Sequence, residues 1–126
     1  MKNQIYIVED SEIIASIIKR VLELNPKHIV KLFSNVHDAL KAIDEKVPDL
    51  IITDYYLEDQ TDSTNNGAYL AEKVREKNHE IVLFLLSGKQ DMNEERIKGI
   101  FNLVLDKNDI DVIYSLEKKV EEYLNN

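Results

Sequence analysis

Two hydrophobic periods alternate along the chain. Apolar runs of strand length, residues 4–8, 29–33, 49–54, 81–86 and 102–106, are separated by segments whose apolar residues recur at helical spacing. The run from Ile81 to Leu86 is almost continuously apolar, as a strand covered on both faces should be. The first helix carries Ile13, Ile14, Ile17, Ile18, Val21 and Leu22 on its apolar side, with Asp10 or Ser11 as cap and Asn25-Pro26 as terminator. Asn35 is the cap candidate of the second, which turns Val36, Ala39, Leu40 and Ile43 inward. The third, from about Ala68 to Lys77, turns in Leu70, Ala71 and Val74. A short helix from Asp91 to about Lys98 is stopped by Gly99. The last, from Asp109 to about Leu124, aligns Ile113, Leu116, Val120 and Leu124 on one stripe and leaves Glu117, Lys118, Glu121 and Glu122 outside.

A strand-helix unit thus repeats five times. Such alternation favours right-handed crossovers around a parallel sheet covered on both faces. The expected fold is α/β: a five-stranded parallel sheet in a flavodoxin-like (βα)5 doubly wound three-layer sandwich of strand order 2-1-3-4-5. Residues 1–126 are expected to form one domain, with no output domain, linker or internal repeat among them. A domain of this length buries roughly two-thirds of its unfolded surface, enough for a core without staples.

Composition narrows the chemistry. The absence of cysteine excludes disulfides, thiolate metal sites and thiol nucleophiles. A formal charge of −8 argues against binding nucleic-acid phosphates and suits a cation site. No apolar segment reaches the length of a signal core or a membrane span, so a soluble, cytoplasmic protein is expected. His28, His37 and His79 are scattered over the elements, which gives no zinc set.

What remains is at the strand ends. Strand one runs into Glu9-Asp10 and strand three, opened by Pro48, into Asp54. In the expected strand order these flank the switch point, where ligands of open α/β sheets bind. Three carboxylates brought within about 4–6 Å repel one another by several kcal/mol at an intermediate dielectric, so something must hold them together. An all-oxygen site with room for water suits Mg²⁺. Strand four ends in Ser87-Gly88 and strand five in Lys107, which add a hydroxyl and a fixed positive charge. A carboxylate that attacks a phosphoryl group needs a metal, a balancing cation and an in-line approach for the leaving group.

With Glu9-Asp10, Asp54, Ser87 and Lys107 each at the end of the expected strand, the whole chain resembles a response regulator receiver domain of the single-domain kind. The resemblance implies that Asp54 is the phosphoacceptor and that Glu9, Asp10, Asp54 and the peptide carbonyl of Tyr56 bind Mg²⁺. It implies that Ser87 is the switch hydroxyl and that Lys107 pairs with the phosphoryl group. A histidine kinase or a histidine phosphotransfer protein would donate the phosphoryl group, and the domain would catalyse both its own phosphorylation and its own dephosphorylation. A downstream protein would read the result.

Departures from the family pattern are local. Asn108 follows Lys107 where the family usually has a proline in a cis bond, and Val104 replaces the aromatic three residues before the lysine, with Phe101 too far along to stand in for it. The loop from Tyr55 to Gly67 is longer than usual and carries Glu58, Asp59 and Asp62. These features motivate an alternative, a degenerate receiver acting as a phosphate-independent interaction module. Phosphohydrolases of the haloacid dehalogenase kind need a second acid two residues past the nucleophile, where this chain has Tyr56. Tyr55 and Tyr56 are candidate loop anchors, with the Tyr56 ring a candidate cover of the site, and Lys89 is a candidate modulator of hydrolysis.

Overall fold

The computed structural model describes residues 2–57, 64–78, 80–88 and 99–125. The expected helix between Asp91 and Lys98, along with Glu58, Asp59, Asp62, His79 and Lys89, lies outside them. In chain order the elements are β1 (Asn3–Val8), α1 (Glu12–Leu22), β2 (His28–Phe33), α2 (Val36–Glu45), β3 (Leu50–Asp54) and α3 (Gly67–Lys77). Then come β4 (Val82–Ser87), β5 (Leu103–Asp106), α4 (Ile110–Tyr114) and α5 (Leu116–Leu124).

The five strands are parallel and ordered β2-β1-β3-β4-β5, as expected. Strand side chains alternate between two core layers. Tyr6, Val8, Ile51, Leu83 and Leu85 face α2 and α3. Ile5, Ile7, Leu50, Ile52, Phe84 and Leu86 face α1, α4 and α5. Every residue of β3 is buried, which makes it the central strand in space as well as in order.

Two expectations of packing are corrected. Ile13 is 75% exposed and Ile17 37%, so the buried side of α1 is Ala15, Ile18, Val21 and Leu22. An amphipathic helix presents one stripe to a sheet, and small Ala15 lets it approach where Ile13 and Ile17, one turn apart, stand on the outer flank. The last helix is also not continuous. At Ser115 the backbone N–H is shared between Asp111 O at 3.0 Å and Val112 O at 3.2 Å, and the hydroxyl donates to Val112 O at 3.0 Å. A serine hydroxyl that bonds its own backbone competes with regular helix. The apolar stripe still crosses the break, with Ile113, Leu116 and Val120 buried.

The start of β5 is pinned by α3. Arg75 donates from Nη1 to Ile81 O at 2.6 Å, from Nε and Nη2 to Ile100 O at 3.2 and 3.0 Å, and from Nη2 to Asn102 Oδ1 at 2.9 Å. Asn102 Oδ1 also accepts from Leu83 N at 2.8 Å, so one guanidinium and one carboxamide join α3, β4 and the approach to β5. Burial lowers the Arg75 pKa, but guanidinium remains charged.

Candidate functional site

The carboxyl ends of β1, β3 and β5 converge. Ser11 caps α1, its hydroxyl accepting from Ile14 N at 3.4 Å, which leaves the Asp10 carboxylate to the cluster. Glu9 Oε2 accepts from Ser11 N at 3.0 Å, so the same turn that starts the helix orients the glutamate. Asp54 Oδ1 accepts from Tyr55 N at 2.8 Å and Oδ2 from Lys107 Nζ at 2.7 Å. The Lys107 ammonium also lies 2.9 Å from Glu9 Oε1 and thus bridges β1 and β3 from the end of β5. Glu9, Asp10 and Asp54 each place a carboxylate oxygen within 4.8 Å of the others.

Burial sets the electrostatics. It pushes the Asp54 carboxyl above the ordinary carboxylate range; Lys107 and the Tyr55 N–H oppose the shift and the Asp10 charge adds to it. Burial does the same to Glu9, against the Lys107 ammonium and the Ser11 N–H, with the Asp54 charge adding. For Lys107 burial alone would lower the pKa, but Asp54 and then Glu9 outweigh it and hold the value above that of ordinary lysine.

Ser87 ends β4, buried, with its carbonyl accepting from Lys107 N at 3.1 Å. Tyr56 pairs with Asn66 in a short antiparallel bridge, and the Tyr55 and Tyr56 rings meet edge to face at 4.6 Å. Val104 is 51% exposed on β5, whereas Phe101 is buried in the α2-α3 layer. His28 lies buried at the start of β2 beside Asn3 and Glu117, at the opposite end of its strand from the carboxylates.

One residue at this site carried no signal in the apolar pattern. A Cβ on Gly67 would fall 2.5 Å from Asp54 O and 3.2 Å from Tyr55 Cα, and Gly67 N donates to Tyr55 O at 2.9 Å. The first turn of α3 therefore rests on the backbone that presents Asp54. The Asn66-Gly67 pair, a cap followed by the smallest residue, is the trace it leaves in the sequence.

The donor set fits a hard divalent cation. It is all oxygen, it carries up to three negative charges, and Glu9 Oε1 is buried with an ion pair but no regular hydrogen bond. Mg²⁺ at ten times its Kd should stabilise the native state by about 1.4 kcal/mol, read as a rise in Tm over an EDTA control.

Asp54→Asn should raise Tm in EDTA at pH 7.5. A raised carboxyl pKa marks a charge that costs native stability; the cost is fully present above that pKa and disappears as pH falls through it toward the ordinary value near 4. The gain from asparagine should shrink over the same window, and a gain independent of pH would contradict the assignment of the cost to charge.

Fold and site together define a doubly wound α/β protein with an acidic, lysine-bridged cluster at its switch point. The sequence model of the response regulator receiver domain family matches residues 5–114, and the chain belongs to that family. Among solved structures, a CheY-like receiver domain from Methylobacillus flagellatus superimposes with a TM-score of 0.81 at 24% identity, over 98% of this chain and 99% of that one. The BeF3-activated DrrB receiver domain gives 0.83 at 20% identity over 100% of both chains. A response regulator from Thermotoga maritima in complex with Mg(2+)-BeF gives 0.80 at 22% identity over 98% of this chain and 100% of that one. At such identities the likeness concerns the fold. No curated protein matches the sequence. Among the described residues no helix is long and apolar enough to cross a membrane.

Proposed function

We propose that residues 1–126 act as one phosphorylatable receiver domain in the cytoplasm, with Asp54 as the acceptor. A histidine kinase or histidine phosphotransfer protein supplies the phosphoryl group, and a downstream protein reads the phosphorylated state. The supporting observation is the Lys107 bridge, a cation within 3 Å of the buried Asp54 and Glu9 carboxylates, at 2.7 and 2.9 Å.

In this reading a carboxylate oxygen of Asp54 forms the bond to phosphorus as the phosphohistidine P–N bond breaks, and the electron pair of that bond returns to the imidazole. Lys107 follows the negative charge from Asp54 to the phosphoryl oxygens, and the Ser87 hydroxyl donates to one of them. Glu9, Asp10, Asp54 and the Tyr56 carbonyl would hold Mg²⁺, which when bound offsets charge on the equatorial oxygens. Attack of water on phosphorus releases inorganic phosphate and restores the Asp54 carboxylate.

Intact-mass measurement after incubation with acetyl phosphate tests this. One phosphoryl group should appear on the wild type, and none in Asp54→Asn or without Mg²⁺. A wild type that neither gains the group nor binds beryllofluoride would refute the acceptor role and leave the phosphate-independent module.

A further inference from the structure

Asn108 directly follows Lys107, in the turn between β5 and α4. Its backbone N–H donates to Asp106 Oδ1 at 2.9 Å and its Nδ2 to Gly88 O at 3.4 Å. A Cβ on Gly88 would fall 2.9 Å from that Nδ2, so the carboxamide rests directly on the glycine. Gly88 has no positive φ, and its backbone asks nothing that alanine could not adopt. Glycine there leaves the space that the Asn108 carboxamide occupies.

One residue back on each strand, Lys107 N donates to Ser87 O at 3.1 Å. The turn after β5 is therefore tied to the end of β4 by a main-chain bond from Lys107 to Ser87 and to the residue just past it by a side-chain bond from Asn108 to Gly88. Proline at 108 could make neither of the Asn108 bonds, having no N–H and no donor side chain.

We propose that Asn108 is a positioning residue, which latches the Lys107 turn to the Ser87-Gly88 turn and so holds the ammonium at a fixed place over Asp54. Its effect on phosphoryl transfer rests on the function proposed above; the latch itself does not. Gly88→Ala should push the carboxamide aside, and Asn108→Ala should remove it.

Amide hydrogen exchange at Lys107 reads the latch. Each single variant should raise it roughly threefold to tenfold, the range a net hydrogen bond is worth, with Leu105 unchanged. The double variant should exchange no faster than Asn108→Ala, because both changes break one contact. Labelling of Asp54 by acetyl phosphate should slow by a similar factor in both singles at saturating Mg²⁺.

Unchanged exchange in Asn108→Ala, or additive effects in the double variant, would overturn the latch. Faster exchange with an unchanged labelling rate would overturn the positioning role. If the wild type neither takes the label nor binds beryllofluoride, the acceptor reading fails, and the exchange data still decide the latch.

Discussion

Lys107→Ala should lose about 2–4 kcal/mol of stability at pH 7.5 in EDTA, roughly 10 °C in Tm, and label at least a hundredfold more slowly. The lysine bridges the buried carboxylates of Glu9 and Asp54, and its removal leaves them facing each other and Asp10 without that cation. Breaking a buried pair on one side costs about 3–5 kcal/mol; proton uptake by carboxyls whose pKa values burial already raises should hold the loss below the top of that range. Two signatures separate charge from packing. The deficit should be smaller at pH 5 than at pH 7.5, because lower pH favours protonation of carboxyls whose pKa values burial raises, and Mg²⁺ should recover much of it at pH 7.5. A loss equal at both pH values and indifferent to Mg²⁺ would assign the role of Lys107 to its aliphatic stem.

Gly67→Ala should cost about 1–3 kcal/mol and weaken Mg²⁺ binding at the same time. The atom that the new methyl meets, at 2.5 Å, is the main-chain carbonyl of Asp54, which cannot turn away as a side chain could. Relief requires the start of α3 or the Asp54-Tyr55 backbone to move, and the second displaces both the Asp54 carboxylate and the chain leading to Tyr56. Gly99→Ala, where the added Cβ meets nothing within 4 Å, is the matched control and should shift stability by no more than about 0.5 kcal/mol. Thermal melts and Mg²⁺ titrations of the two variants give the comparison. A Gly67→Ala protein with wild-type Mg²⁺ affinity would separate the helix contact from the site.

The sheet was legible because its strands are short, largely aliphatic runs with abrupt polar ends, so that run length and termination mark both the strand and the sheet edge it reaches. Glu9, Asp10, Asp54 and Lys107 converge because parallel strands in this order bring every carboxyl end to one edge. Helix faces were less legible. Six apolar residues at helical spacing on α1 are more than one stripe can bury, and periodicity does not say that Ile13 and Ile17 are the ones left out. Ser115 looked like an ordinary helix position because its competing hydrogen bond to Val112 depends on a rotamer. Gly67 and Asn108 were hidden for another reason. Their roles are close contacts with residues distant in sequence, at Asp54 and Gly88, and a local pattern carries no record of those contacts.

The guanidinium of Arg75 has a consequence for how this chain could vary over evolution. It holds Ile100 and Asn102 against α3 and β4, so side-chain bonds fix the point where the chain enters β5. Insertions or deletions between Gly88 and Gly99 should then leave the register of Leu103 against Phe84, and with it the reach of Lys107, intact. A lineage that lengthened or shortened that connection would keep Lys107 in reach of Glu9 and Asp54 for as long as it kept Arg75 and Asn102.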